Sequence, residues 1–330
     1  IRESEEYITY KSERKEKSPN SGLACDQGMS NYSKFLEYLA AKEETVPRIK
    51  GAENVLLYGV PGVGKSHEIQ TKYCDDPERM ERVVFHPDYT YSDFVGQILP
   101  KVENDKLKYE FTAGPFTTLL AKAWNNPGKE YYLVIEEINR GNAPAIFGEI
   151  FQLLDRKTED SHRYDPSEYG ESEYPITNSD IATAVFGDPE EKIRIPSNMW
   201  ILATMNTADQ NVFTLDTAFQ RRWKLHHMKN DVMSAGHSKT KIEGSEIEWG
   251  TFASVINEMV TDYSLEMMSS EDKRLGAYFV KKNELSEEEF PEKVLKYLWD
   301  DAFKMKKDAV FDDKFKSLET VIEAYELSEP

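Results

Sequence analysis

The chain has 330 residues, 39% hydrophobic and 31% charged, with a formal net charge of −19. That suffices for one large or two ordinary domains with a real core, and the acidic balance argues against a surface that wraps nucleic acid over its whole extent. It leaves room for a small basic pore or a separate DNA-binding module. No apolar run approaches a membrane span and no signal-peptide pattern is seen. Cys25 and Cys74 form no metal or redox motif, as expected of a cytoplasmic chain in a reducing compartment. Beginning at Ile1 rather than Met, the chain is expected to be a piece of something longer.

Residues 1–30 are polar, with Lys11, Glu13, Arg14, Lys15, Glu16 and Lys17 in one block, and read as a linker-like segment. Tyr32, Phe35, Leu36 and Leu39 recur at helical spacing over 31–42 and open the next domain, 31–228. There strands and helices alternate. Strands are predicted at 55–58, 83–85, 131–135, 200–203 and 223–226, and helices at 67–73, 116–124, 143–154 and 214–220. The strand at 131–135 is apolar on both faces, as a central parallel strand would be. Alternation of this kind gives an α/β fold with a parallel sheet, whose ligands bind at the carboxyl ends of the strands. Residues 156–196 form a polar insert, expected as a hairpin or extended loops outside the core. From 229 to 330 amphipathic helices at 252–267, 290–306 and 315–325 predict a smaller helical domain.

Directly after the first strand, residues 59–66 read G-V-P-G-V-G-K-S. This is the G-x-x-x-x-G-K-[ST] phosphate loop in its required place between a buried strand and a helix. Gly59, Pro61, Gly62, Val63 and Gly64 form a turn whose backbone N–H groups can face a polyphosphate. Lys65 supplies a charge for the β- and γ-phosphates, and Ser66 offers a hydroxyl to Mg²⁺. The helix beginning near His67 points its positive end at the phosphates.

Glu136 and Glu137 follow the strand at 131–135 immediately. Glu136 is assigned to the metal and Glu137 to general base or water orientation. Asn206, at the tip of the strand at 200–203, is placed to bond the γ-phosphate and the attacking water. Its competing reading is a cap on the next helix. Arg221, and after it Arg222, can stabilise charge on the transferred phosphoryl group, often from a neighbouring subunit, or can simply complement a helix C-terminus. Arg274 in the helical domain can reach back to the phosphates, or serve as a surface salt-bridge residue. His226 and His227 alternate faces on a strand and so cannot readily share a metal.

Together these elements resemble the AAA+ P-loop NTPases: phosphate loop, acidic strand end, Asn sensor, arginine finger, then a helical lid. Five strings are more specific and are similar to the McrB branch: F-H-P-D-Y-T-Y-S-D-F at 85–94, E-E-I-N-R-G-N at 136–142, M-N-T-A-D at 205–209, L-D-T-A-F-Q-R-R-W at 215–223 and R-L-G-A-Y-F at 274–279. Glu136 stands where many AAA+ proteins carry Asp, and Gln220 where some relatives carry a further arginine. The resemblance covers about residues 50 to 280. It implies strand order 5-1-4-3-2, counting the predicted strands, and the motor subunit of a modification-dependent restriction system. Such a motor forms hexameric rings of itself, uses Mg²⁺ with GTP (ATP being the alternative) and works with an McrC-like nuclease. It meets DNA through a separate N-terminal domain or the ring pore. The phosphate loop reads phosphates rather than the base, so GTP follows only from the resemblance. Two other readings compete: a remodelling chaperone of the MoxR type, and a nucleotide-gated oligomerisation module. The second has no use for a water-activating acid such as Glu137.

Overall fold

The computed structural model describes residues 46–103, 105–159, 163–207, 213–267 and 273–326. The chain divides into Ile1–Arg48 and Ile49–Pro330. The first unit lies almost wholly outside the described residues, as do the predicted linker-like segment and the helix at 31–42.

The strands in chain order are β1 (Asn54–Gly59), β2 (Met80–Val84), β3 (Gly96–Glu103), β4 (Lys106–Ala113), β5 (Tyr131–Glu136), β6 (Met199–Asn206) and β7 (Lys224–His227). Val55, Leu56 and Leu57 are buried in β1, and Leu133, Val134 and Ile135 in β5. Runs without polar alternation can be satisfied only inside a sheet covered on both faces. That sheet has five parallel strands in the order β2-β5-β6-β1-β7. With the separate hairpin β3–β4 set aside, this is the predicted 5-1-4-3-2. Gly59 pairs with Asn206 and Val84 with Glu136. Register therefore gathers the phosphate loop, the acidic pair and the Asn at the carboxyl ends of the three inner strands.

The helices of the α/β region are α1 (Lys65–Lys72), α2 (Tyr91–Phe94), α3 (Pro115–Asn125), α4 (Ala143–Phe147), α5 (Ser179–Phe186) and α6 (Thr217–Gln220); α7 (Trp249–Met267) and α8 (Leu318–Glu326) follow. One core joins the sheet to α3 through Phe85, Phe94, Phe116, Leu120 and Phe147. A separate core built around Trp249, Phe290, Leu298 and Phe303 holds together the described residues between 232 and 321. Among the described residues no helix is long and apolar enough to cross a membrane.

Three local expectations are corrected, and one element is added. The single helix over 143–154 is broken: α4 ends at Gly148 (φ 50°, ψ −128°) and a 3₁₀ segment, Gly148–Leu154, continues. The insert at 156–196 is not peripheral. Ile176, Ile181, Ala182, Ile193 and Ile195 enter the main core, and the Asn178 side chain caps α5 by accepting the N–H groups of Asp180 and Ile181. Its apolar residues are few and widely spaced, so composition hides a segment that closes the core. The predicted helix at 290–306 contains two π-helical stretches, Pro291–Leu295 and Leu298–Ala302. The hairpin β3–β4 has no counterpart among the predicted elements, because Pro100 and the lysines at 101, 106 and 108 break up its alternation.

Candidate functional site

The phosphate loop leaves β1 at Gly59 and turns through Pro61 and Gly62 over the buried Val63. Gly62 (φ 74°) and Gly64 (φ 98°) hold left-handed conformations that L side chains rarely adopt. Gly64 is the N-cap of α1 and has no side-chain cap, so the first-turn N–H groups lack a side-chain acceptor from it. Ser66 and His67 stand exposed in that first turn.

Lys65 is buried at 7% exposure, which a cation tolerates only when well hydrogen-bonded. Its Nζ donates to the carbonyls of Gly59 and Val60, at 3.0 and 3.1 Å, and to Asn206 Oδ1 at 2.6 Å. The same Asn206 amide donates through Nδ2 to both oxygens of Glu137, at 2.7 and 2.9 Å. A carboxamide facing a cation with its oxygen and an anion with its NH₂ is oriented by its partners. Lys65, Asn206 and Glu137 thus form one hydrogen-bonded chain from the start of α1 over the tip of β6 to the residue after β5.

Glu137 has φ 54° and ψ 48°, a strained conformation for a residue with a side chain. Its N–H donates to Thr204 Oγ1 at 3.1 Å, and Arg140 Nε lies 3.6 Å from its carboxylate. Glu136 accepts from Thr204 Oγ1 at 2.6 Å on one oxygen and from Arg82, on β2, on the other. The oxygen donors Ser66 and Glu136 suit a hard cation that takes its remaining ligands from water and phosphate. No cluster of three or more His, Cys, Asp or Glu ligands exists among the described residues. The arrangement therefore fits a magnesium shared with a polyphosphate rather than held by a protein cage.

The lid segment meets the phosphate loop backbone to backbone. Tyr278 N–H donates to Gly62 O at 2.7 Å. A Cβ on Gly62 would lie 2.6 Å from Phe279 Cα, and one on Gly276 would lie 2.3 Å from both Gly62 C and Pro61 O. The Tyr278 ring sits 6.3 Å from that of His67 and 6.0 Å from that of His237. Arg274 is half-buried at the start of this segment.

The arginine pair lies apart from this cluster, at the amino ends of β1 and β7. Arg222 is committed locally: Nε and Nη2 bond Asp155 at 3.1 and 2.7 Å, Nη1 bonds Ala218 O at 2.7 Å, and the guanidinium stacks 4.1 Å from the Phe151 ring centre. Arg221 is exposed. Both line a cavity of about 430 Å³ with Asn54 and Arg156. Burial pushes the Arg156 guanidinium down to about 9, so it remains a cation at neutral pH. It is satisfied by Asn54 Oδ1 and the carbonyls of Gly170 and Met199.

Residues 54–223 match the AAA domain (dynein-related subfamily). The chain is 36% identical over 318 residues to the type II restriction enzyme BsuMI component YdiS of Bacillus subtilis (strain 168), covering 82% of this chain and 87% of that protein. It is 30% identical over 186 residues to the type IV methyl-directed restriction enzyme EcoKMcrB subunit of Escherichia coli (strain K12), covering 55% of this chain and 36% of that one. The chain belongs to the AAA family, in its McrB-like restriction branch. A solved structure from Cytophaga hutchinsonii ATCC 33406, 15% identical, aligns over 84% of this chain and 85% of that one with a TM-score of 0.31.

As an McrB-like AAA+ domain the chain is a nucleotide hydrolase of a restriction system. Of the residues singled out in the sequence, the structure brings Gly59, Lys65, Glu136, Glu137 and Asn206 together and sets Arg221 and Arg222 elsewhere. Sequence reasoning missed Thr204, Arg82, Arg140 and the Gly62–Gly276 contact. Thr204 had a signal, being a polar residue inside the apolar run of β6. Arg82 had none, because its partner is defined only by the β2–β5 register.

Proposed function

We propose that this chain is the Mg²⁺-dependent, GTP-favouring ring motor of an McrBC-like restriction system. It couples hydrolysis to DNA translocation and to activation of a partner nuclease of the McrC type. The observation that carries the reading is the Lys65–Asn206–Glu137 chain, which ties the phosphate-binding cation to the water-activating acid through one amide. The GTP preference is supported by the resemblance to the McrB branch, the restriction role by the two relatives, and a ring by the exposure of Arg221.

In this reading the N–H groups of the phosphate loop and Lys65 bind the β- and γ-phosphates. Ser66 and Glu136 would hold magnesium, which when bound neutralises charge on the phosphate oxygens. Glu137 accepts a proton from water as the water oxygen bonds to the γ-phosphorus. The bond to the β–γ bridging oxygen breaks, leaving nucleoside diphosphate and phosphate. Asn206 orients the water and the γ-phosphate. Arg221 of one subunit supplies positive charge to its neighbour's site. Arg274 approaches the phosphates from the lid.

The test is steady-state hydrolysis of GTP and ATP side by side over a range of protein concentrations. A rate per subunit that rises with concentration and favours GTP is the expected result. A clear ATP preference, with no response to DNA or nuclease, would replace this reading with a protein remodeller.

A further inference from the structure

We propose that Thr204 is a positioning residue for hydrolysis, one hydroxyl setting the direction of both acids; this rests on the roles given above to Glu136 and Glu137. Thr204 is 1% exposed and follows Ile201, Leu202 and Ala203, all fully buried. A hydroxyl in such a place is costly unless satisfied. It is satisfied twice, with opposite polarity. Its proton goes to Glu136 Oε2 at 2.6 Å, and its oxygen accepts the backbone N–H of Glu137 at 3.1 Å. A threonine hydroxyl can donate once and still accept, so the two bonds are compatible only in this sense.

The consequences for the two acids differ. Glu136 is held from the β6 side by Thr204 and from the β2 side by Arg82, which fixes its carboxylate across three strands. Glu137 is held through its backbone. Its left-handed turn aims the side chain at Asn206, and the Thr204 bond anchors the N–H of that turn. Residues two apart on a strand share a face, so Thr204 and Asn206 act from the same side of β6. Thr204 fixes the Glu137 main chain while Asn206 fixes its carboxylate. Valine has nearly the shape of threonine but cannot make either bond. Serine keeps the hydroxyl and loses the methyl.

The experiment compares Thr204→Val and Thr204→Ser with the unaltered chain in three readouts: melting without nucleotide, affinity for a fluorescent GTP analogue with Mg²⁺, and turnover. Thr204→Val should bind within about threefold of the unaltered chain while turnover falls on the order of tenfold to a hundredfold. It should also melt lower, and Thr204→Ser should restore most of both. Normal turnover in Thr204→Val overturns the proposal, as does a Thr204→Ser defect equal to that of Thr204→Val, since the methyl would then be what matters. An unchanged melting temperature in Thr204→Val overturns it whether or not the chain hydrolyses nucleotide. Absence of hydrolysis in the unaltered chain would refute the proposed function and this role with it, whereas normal turnover in both the unaltered chain and Thr204→Val would overturn this role alone.

Discussion

Replacing Gly276 by alanine adds one methyl group where the lid touches the phosphate loop. The new Cβ would lie 2.3 Å from Gly62 C, 2.3 Å from Pro61 O and 2.6 Å from Gly62 O. All three are backbone atoms, so no rotamer change relieves the clash. Either the lid turn retreats or the loop deforms. Overpacking of this kind costs about 1–3 kcal/mol, and each kcal/mol lowers melting by about 2–4 °C in a domain of roughly 200 residues. A retreating turn also lengthens the Tyr278 N–H bond to Gly62 O, now 2.7 Å, which contributes about 1 kcal/mol. Gly276→Ala should therefore melt several degrees lower and bind a fluorescent nucleotide about fivefold more weakly. Gly236→Ala is the control, because nothing lies within 4 Å of its added Cβ. If the two variants match in melting and in affinity, the lid does not support the loop through this contact.

Glu137→Gln should keep nucleotide affinity and stop turnover, since the amide still fills the space beside Asn206 but cannot take a proton from water; unimpaired phosphate release would remove it as the base. Arg221→Ala should leave binding to the dilute protein intact and lower turnover only at concentrations where rings form; an equal defect in both regimes would argue for a role within its own subunit. The Asp93 carboxyl is held below its ordinary value, first by the Thr90 hydroxyl and then by the Thr90 N–H. Because its folded value is depressed, its stabilisation is present above the ordinary 3.8 and lost as pH falls through the lowered value. Asp93→Ala should lower stability at neutral pH by about 0.5 kcal/mol, a small figure for an exposed cap, and flatten the acid limb of the pH–stability curve; an unchanged acid limb would show that the Thr90–Asp93 box contributes nothing.

The sheet was readable because its strands are apolar runs bounded by chemistry-bearing tips. Val55 to Tyr58 and Tyr131 to Ile135 have no other stable place than a covered parallel sheet, and the phosphate loop fixes which end of the first strand is functional. Less readable were features that exist only through packing. Ile176, Ile181 and Ile193 are scattered among polar residues, and their shared burial appears only when α5 folds against α3. Gly148 carries no mark in the sequence to separate a tolerated helix glycine from a break, yet its φ of 50° ends α4. For the candidate site, local strings singled out Lys65, Glu136, Glu137 and Asn206, whereas their linkage follows from register between strands far apart in sequence. Arg221 and Arg222 look equivalent as letters, and Asp155 and Phe151 distinguish them by engaging only the second.

The polarity of the Asn206 amide bears on why this side chain stands at the tip of β6. Asn206 must accept from an ammonium on one side and donate to a carboxylate on the other. Aspartate would set two carboxylates face to face, repelling Glu137, and leucine would leave Lys65 and Glu137 without their shared partner in a site where Lys65 is 7% exposed. The carboxamide meets both demands, and because its oxygen and nitrogen are fixed in one plane, any displacement of Oδ1 carries Nδ2 with it. The main chain that carries this amide is held separately: Asn139 Nδ2 donates to the Asn206 carbonyl at 3.1 Å, and Gly59 pairs with Asn206 across β1 and β6. Lys65 and Glu137 are thus joined through a single rigid group.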